Sequence, residues 1–121
     1  MGRIFTLEEA RSLLPQVQTT TEPVFHLAAS LAEELSKAEE AGDEDRMTEL
    51  RERLHTLVQS WQQAMQDLEA DVKGLWLVDF DSGDGYWCWA YPETTLDHWH
   101  SYGDGFGARM PIALKPEHRQ V

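Results

Sequence analysis

The chain has a single cysteine, Cys88, among its 121 residues, so no internal disulfide can brace it and a disulfide-stapled secreted scaffold is excluded. It also lacks a long hydrophobic run. No window reaches the roughly 18 uncharged apolar residues that a membrane-spanning helix needs, and no charged leader followed by an apolar segment opens the sequence. Basic charge is scarce: 10 Lys and Arg stand against 22 Asp and Glu, a net charge of -12. Such a field repels phosphate backbones. The densest basic cluster, Arg46, Arg51 and Arg53, alternates with Glu44, Glu49 and Glu52, which describes a solvated helix face with ion pairs along it rather than a nucleic-acid patch. The acidic polar faces also lack the Lys and Arg that hold an amphipathic helix on anionic lipid. The expectation is a cytoplasmic protein that binds neither nucleic acid nor membrane.

Glycine and aromatic residues are sparse in the first 73 positions and crowd the C-terminal part of the chain. Four of the five Trp, all three Tyr and six of the eight Gly lie from Gly74 to Pro111. The length suits one domain, and we read it as a helical part over 1–73, an antiparallel sheet with a Gly-rich loop over 74–114, and a frayed tail over 115–121.

Phe5-Thr6-Leu7-Glu8-Glu9 carries a helix start: Thr6 and Glu9 are spaced for a capping box, and Phe5 for a hydrophobic staple. Pro15 and the Thr19-Thr20-Thr21 run predict a kink or break after Leu14. From Pro23, the apolar residues Val24, Ala28, Leu31, Leu35 and Ala38 alternate spacings of four and three, the repeat of a helix burying one stripe. Gly42 is placed to end that helix in a left-handed cap. Met47, Leu50, Leu54, Leu57, Trp61, Ala64 and Leu68 repeat the alternation, with Val58, Met65 and Val72 widening the stripe on one side. A long antiparallel helix pair results, closed by Gly74.

The period then changes to that of strands. Leu75 to Phe80 is bulky and apolar, Asp81-Ser82-Gly83-Asp84-Gly85 is turn chemistry, and Tyr86 to Tyr91 is a second aromatic run, so a β-hairpin is expected. Pro92 and Glu93 make a turn before a third strand over Thr94 to His100, and Gly103, Gly105 and Gly107 mark a loop. The fold class is α+β, with a sheet of three or four strands. A last helix of about 29 residues would measure about 43 Å, whereas six-residue strands span about 20 Å. Because so small a sheet leaves helix stripe bare, a homodimer through the helical hairpin is expected.

Val78-Asp79-Phe80, Cys88-Trp89, Trp99-His100 and Gly105-Phe106-Gly107-Ala108-Arg109-x-Pro111, behind a Thr-Leu-Glu-Glu-Ala start and a helical hairpin, resemble the bacterial and archaeal family DUF2203. The resemblance covers nearly the whole chain. It implies that Asp79, Trp89, Trp99, His100, Gly105 and Arg109 occupy the family's motif positions, and it brings no activity or cofactor with it.

Strand alternation puts His98 and His100 on one face. With Asp79 or Asp81 from the neighbouring hairpin they make a mixed nitrogen and oxygen set suited to zinc or another divalent metal; the plainer reading of the pair is a polar rim. Arg109 is the only cation between Gly74 and Ile112. It is read either as a clamp for a ligand carboxylate or phosphate, or as an internal ion pair with Asp79 or Asp104. Trp89 and Trp99 join Asp79, His100 and Arg109 as ligand-binding candidates, against a reading in which the aromatics supply core. Cys88 is read as a small buried apolar residue.

Three functional readings result. The leading one is a dimeric interaction or assembly module without catalysis. The alternative is a small-ligand or divalent-metal-binding domain with its site between the hairpin and the Gly103–Gly107 loop. An enzyme of unknown reaction is third.

Overall fold

The computed structural model describes residues 3–115. Helix α1 (Leu7–Ala41) begins in the expected capping box: the Glu9 N–H donates to Thr6 Oγ1 at 3.1 Å and the Thr6 N–H donates to Glu9 Oε1 at 2.8 Å. It does not break at Pro15 or Pro23, and the expected kink or break is corrected to one helix of 35 residues. The reason lies in which residues are buried. Ala10, Leu14, Val17 and Thr21 are buried while both prolines are exposed, so the carbonyls of Arg11 and Thr19 that lose a helical partner stand on the solvent side. Packing of the buried stripe overrides local propensity.

Gly42 ends α1 with φ 67°, and Asp43 caps α2 (Glu44–Asp67) by accepting from the Arg46 N–H at 3.1 Å. This second helix stops short of Val72. The Glu69 N–H donates to the Gln66 carbonyl and the Ala70 N–H to the Met65 carbonyl, with Glu69 at φ 63°. That is a Schellman cap in which Glu takes the place usually held by Gly, which is why no glycine announces it.

Among the described residues, five strands come after α2: β1 (Asp71–Gly74), β2 (Leu77–Asp81), β3 (Gly85–Ala90), β4 (His98–Ser101) and β5 (Met110–Pro111), forming one antiparallel meander in sequence order. β1 lies where helix was expected, and Leu75-Trp76 is a turn instead of strand, with Trp76 at φ 69°. A bulky residue in that region is strained. Trp76 is held there by ring contacts with Trp61 and Phe25, at centroid distances of 5.0 and 5.6 Å. β4 starts at His98, four residues later than expected, because Leu96 leaves the sheet plane to be buried in the core.

One sheet face carries Val72, Val78, Phe80, Trp87, Trp89 and Trp99, and packs against Phe5, Ala10, Leu14, Val17, Trp61 and Met65. Two buried indole donors are satisfied within this layer, Trp61 by Thr21 Oγ1 at 2.8 Å and Trp87 by the Phe5 carbonyl at 2.9 Å. Beyond the sheet, the helices pack only on each other through Leu31, Ala38 and Leu50. Lys115 is buried and donates to Asp84 at 2.8 Å; the rest of the expected frayed tail, 116–121, lies outside the described residues.

Candidate functional site

The sheet has a second face, and there the register assembles polar groups. Asp79 pairs with Cys88 and Cys88 with His98, while Asp81 pairs with Tyr86 and Tyr86 with His100. Lys73 joins them from β1. Loop residues after β4, including Tyr102, Asp104 and Phe106, lie over part of this surface and line a half-open cavity of about 270 Å³.

At its floor lie Asp79, Cys88 and His100, 1%, 1% and 3% exposed. Asp79 Oδ2 lies 2.8 Å from His100 Nε2, and His100 Nδ1 lies 2.9 Å from the Ser101 carbonyl. A carbonyl only accepts, so Nδ1 carries a hydrogen, and a second hydrogen must lie between Nε2 and Oδ2. Asp79 Oδ1 is buried and has no hydrogen-bond partner among the described residues. The Cys88 thiol beside the carboxyl, a weak donor, favours its charged form. Burial pushes the Asp79 carboxyl above its ordinary value, against the pull of His100, Cys88 and Lys73. The Cys88 thiol is pushed up to about 12 by burial and then by the Asp79 charge, opposed by Arg109. These are the shifts expected of acids taken out of water.

The cavity wall is aromatic. Tyr86 stands 5.4 Å from the His100 ring and 5.2 Å from Tyr102, and Lys73 Nζ lies 4.2 Å from the Tyr86 ring centre. Tyr102 donates to Asp81 Oδ1 at 2.6 Å, which ties the roof to the β2–β3 turn.

The expected ion pair of Arg109 with Asp79 or Asp104 is replaced by another. Its guanidinium forks onto Glu93, with Nη1 to Oε1 at 3.0 Å and Nη2 to Oε2, and stacks on Phe106 at 4.2 Å. Glu93 Oε1 also accepts from the Ala90 N–H at 2.9 Å. Arg109 therefore joins the roof to the β3–β4 loop.

Of the residues singled out in the sequence, Asp79 and His100 are in direct contact, and Arg109 lies alongside through its interaction with Cys88. His98 faces Glu93, at 4.0 Å. Asp81 is taken up by Tyr102 and the Gly83 N–H. Trp89 and Trp99 sit in the core layer, where their indoles donate to the Glu93 carbonyl and to Ser82 Oγ. No motif in the sequence marks Lys73, Tyr86 or Tyr102. Cys88 reads from the sequence as core; its place opposite Asp79 is set by the register, the one signal that pairs them.

A five-stranded sheet with helices on one face and a loop-roofed polar cavity on the other defines an α+β protein with a built pocket. Over residues 3–112 the chain matches the family model described as uncharacterized conserved protein (DUF2203), and it belongs to that family. No curated protein and no solved structure matches it. No helix among the described residues is long and apolar enough to cross a membrane.

Proposed function

We propose that this protein is a small-ligand-binding domain whose site is the cavity between the outer sheet face and the loop from Ser101 to Arg109. The observation that carries this reading is the unpartnered, buried Asp79 Oδ1 at the cavity floor. A buried acceptor without a donor costs about 1–3 kcal/mol, and a bound ligand that donates to it would offset that cost. The surroundings support the same reading, since perturbed ionisable groups and aromatic walls converge on one concavity. Native mass spectrometry of freshly purified, untagged protein tests it. A bound mass in the wild type that is lost in Tyr102→Ala and Phe106→Ala is expected. An empty wild-type cavity, with no shift in melting temperature across a panel of metabolites and metal ions, would overturn it.

A second reading, a homodimer through the helical hairpin, rests on a separate observation. α1 would measure about 52 Å at 1.5 Å per residue, and beyond the sheet Leu27 is 49% exposed beside a groove that Leu31 and Leu57 line. Sedimentation equilibrium decides it. A dimer that Leu27→Glu dissociates is the expected result, and a folded monomer at micromolar concentration rejects it.

A further inference from the structure

We propose that Asp79, Cys88 and His100 form a mononuclear site for a divalent transition metal of the zinc type, with its remaining coordination position open to the cavity. This deepens the pocket reading and rests on it.

The donor atoms are already gathered. The His100 nitrogen, the Cys88 sulfur and an Asp79 oxygen all lie within 4.8 Å of one another. Ligand atoms around a tetrahedral zinc, at 2.0–2.3 Å from the ion, stand about 3.3–3.8 Å apart, so side-chain adjustments of well under a residue's width would close the site. The set is sulfur, nitrogen and oxygen, which selects zinc-like ions over calcium or magnesium.

His100 is oriented for this role by its far side. Its Nδ1–H is committed to the Ser101 carbonyl at 2.9 Å, which directs Nε2 toward Asp79 and Cys88. A metal-bound imidazole ordinarily has such a backbone acceptor behind it. Asp79 offers the other half of the argument, because Oδ1 is buried without a donor while Oδ2 is held by His100. A cation would give the free oxygen a partner.

Charge balance permits it. Binding a divalent ion would displace two hydrogens as protons, the one between Nε2 and Oδ2 and the one on the thiol, leaving a carboxylate, a thiolate, a neutral imidazole and the ion. Their sum is zero, as it is for the metal-free cluster, so no net charge is buried. Arg109 is paired with Glu93, which limits its repulsion of the ion. Lys73, at the cavity rim above Tyr86, would favour an anionic oxygen at the open position.

Cobalt(II) titration of untagged, chelator-stripped protein tests the proposal, followed by displacement with zinc. The expected result is one cobalt per chain with thiolate-to-cobalt charge-transfer absorption that zinc abolishes. Cys88→Ser removes that absorption, and Asp79→Asn or His100→Gln weakens binding at least tenfold, while His98→Gln leaves it unchanged. Wild-type protein that stays folded by circular dichroism but shows no charge-transfer absorption overturns the metal site, whatever the variants do. If such protein still carries an organic mass, the pocket reading stands without the metal. If it carries nothing and no metabolite or metal ion shifts its melting temperature, both fall.

Discussion

His100 makes two hydrogen bonds at once: Nε2 lies 2.8 Å from Asp79 Oδ2, and Nδ1 lies 2.9 Å from the Ser101 carbonyl. The ring therefore fastens the middle of β2 to the end of β4, directly beneath the roof loop. Breaking one partner and removing both are different perturbations. In chelator-stripped protein, His100→Leu leaves Asp79 buried and unpaired and should cost about 3 kcal/mol. Replacing Asp79 and His100 together by Leu should recover at least about 1 kcal/mol of that. Urea denaturation of the two singles and the double gives the coupling; a simple sum would mean that the pair is not a unit.

The Glu93–Arg109 fork predicts an acid-sensitive roof. Burial alone pushes the Glu93 carboxyl up, but Arg109, the Ala90 N–H and His98 outweigh it and hold it below its ordinary value. The folded state then binds fewer protons than the unfolded chain. This stabilisation is complete above the ordinary Glu value of about 4.3 and is lost as pH falls through the lower folded value. Urea midpoints at about pH 6 and about pH 3 should differ less in Arg109→Leu than in the wild type. An equal difference would show that the fork does not link protons to folding.

Helix α1 runs through two exposed prolines, each of which removes a helical hydrogen bond. Pro15→Ala and Pro23→Ala should each stabilise the protein by about 1–3 kcal/mol. Calorimetry should show melting temperatures that rise for both. A fall for either would mean that its ring contributes packing that outweighs the missing bond.

Thr21 accepts from the Trp61 indole inside the core, at 2.8 Å. Thr21→Val keeps the shape and removes the acceptor, so an indole N–H is left buried without a partner. The expected loss is about 1–3 kcal/mol in chemical denaturation. A neutral result would mean that the indole finds another acceptor.

Gly85 is required by a close approach rather than by its φ. A Cβ there would run into the His100 carbonyl and the Trp99 ring, rigid neighbours that cannot give way cheaply. Gly85→Ala should destabilise by more than about 2 kcal/mol and displace β4 from β3. Tryptophan fluorescence together with urea unfolding would report both effects, and a wild-type midpoint would contradict the crowding.

Much of the architecture is legible locally. The Thr6–Glu9 capping box, the Gly42 cap, the helical hairpin and the turn from Asp81 to Gly85 are short-range patterns, and each forms where its residues stand. Three elements are not legible in that way. α1 passes Pro15 because burial of Leu14, Val17 and Thr21 outweighs the missing bond; β1 replaces the last helical turn because Glu69 adopts a cap conformation usually left to Gly; and Leu96 goes to the core instead of extending β4. The first and third are decided by contacts distant in sequence, and the second by a local cap that no glycine marks.

The candidate site divides along the same line. Alternation alone places His98 and His100 on one strand face and Trp99 on the other, because successive side chains of a strand must point in opposite directions. Local sequence does not say which residue from another strand stands opposite. Only the register brings Cys88 beside Asp79, only the β3–β4 loop sets Glu93 in reach of Arg109, and only the roof loop turns a polar sheet face into a cavity. Sequence by itself determines the helical hairpin with its first caps, the β2–β3 turn and the sidedness of each strand, which are short-range properties of the backbone. The tertiary structure alone decides the partners, since pairing and burial couple residues that the chain keeps far apart.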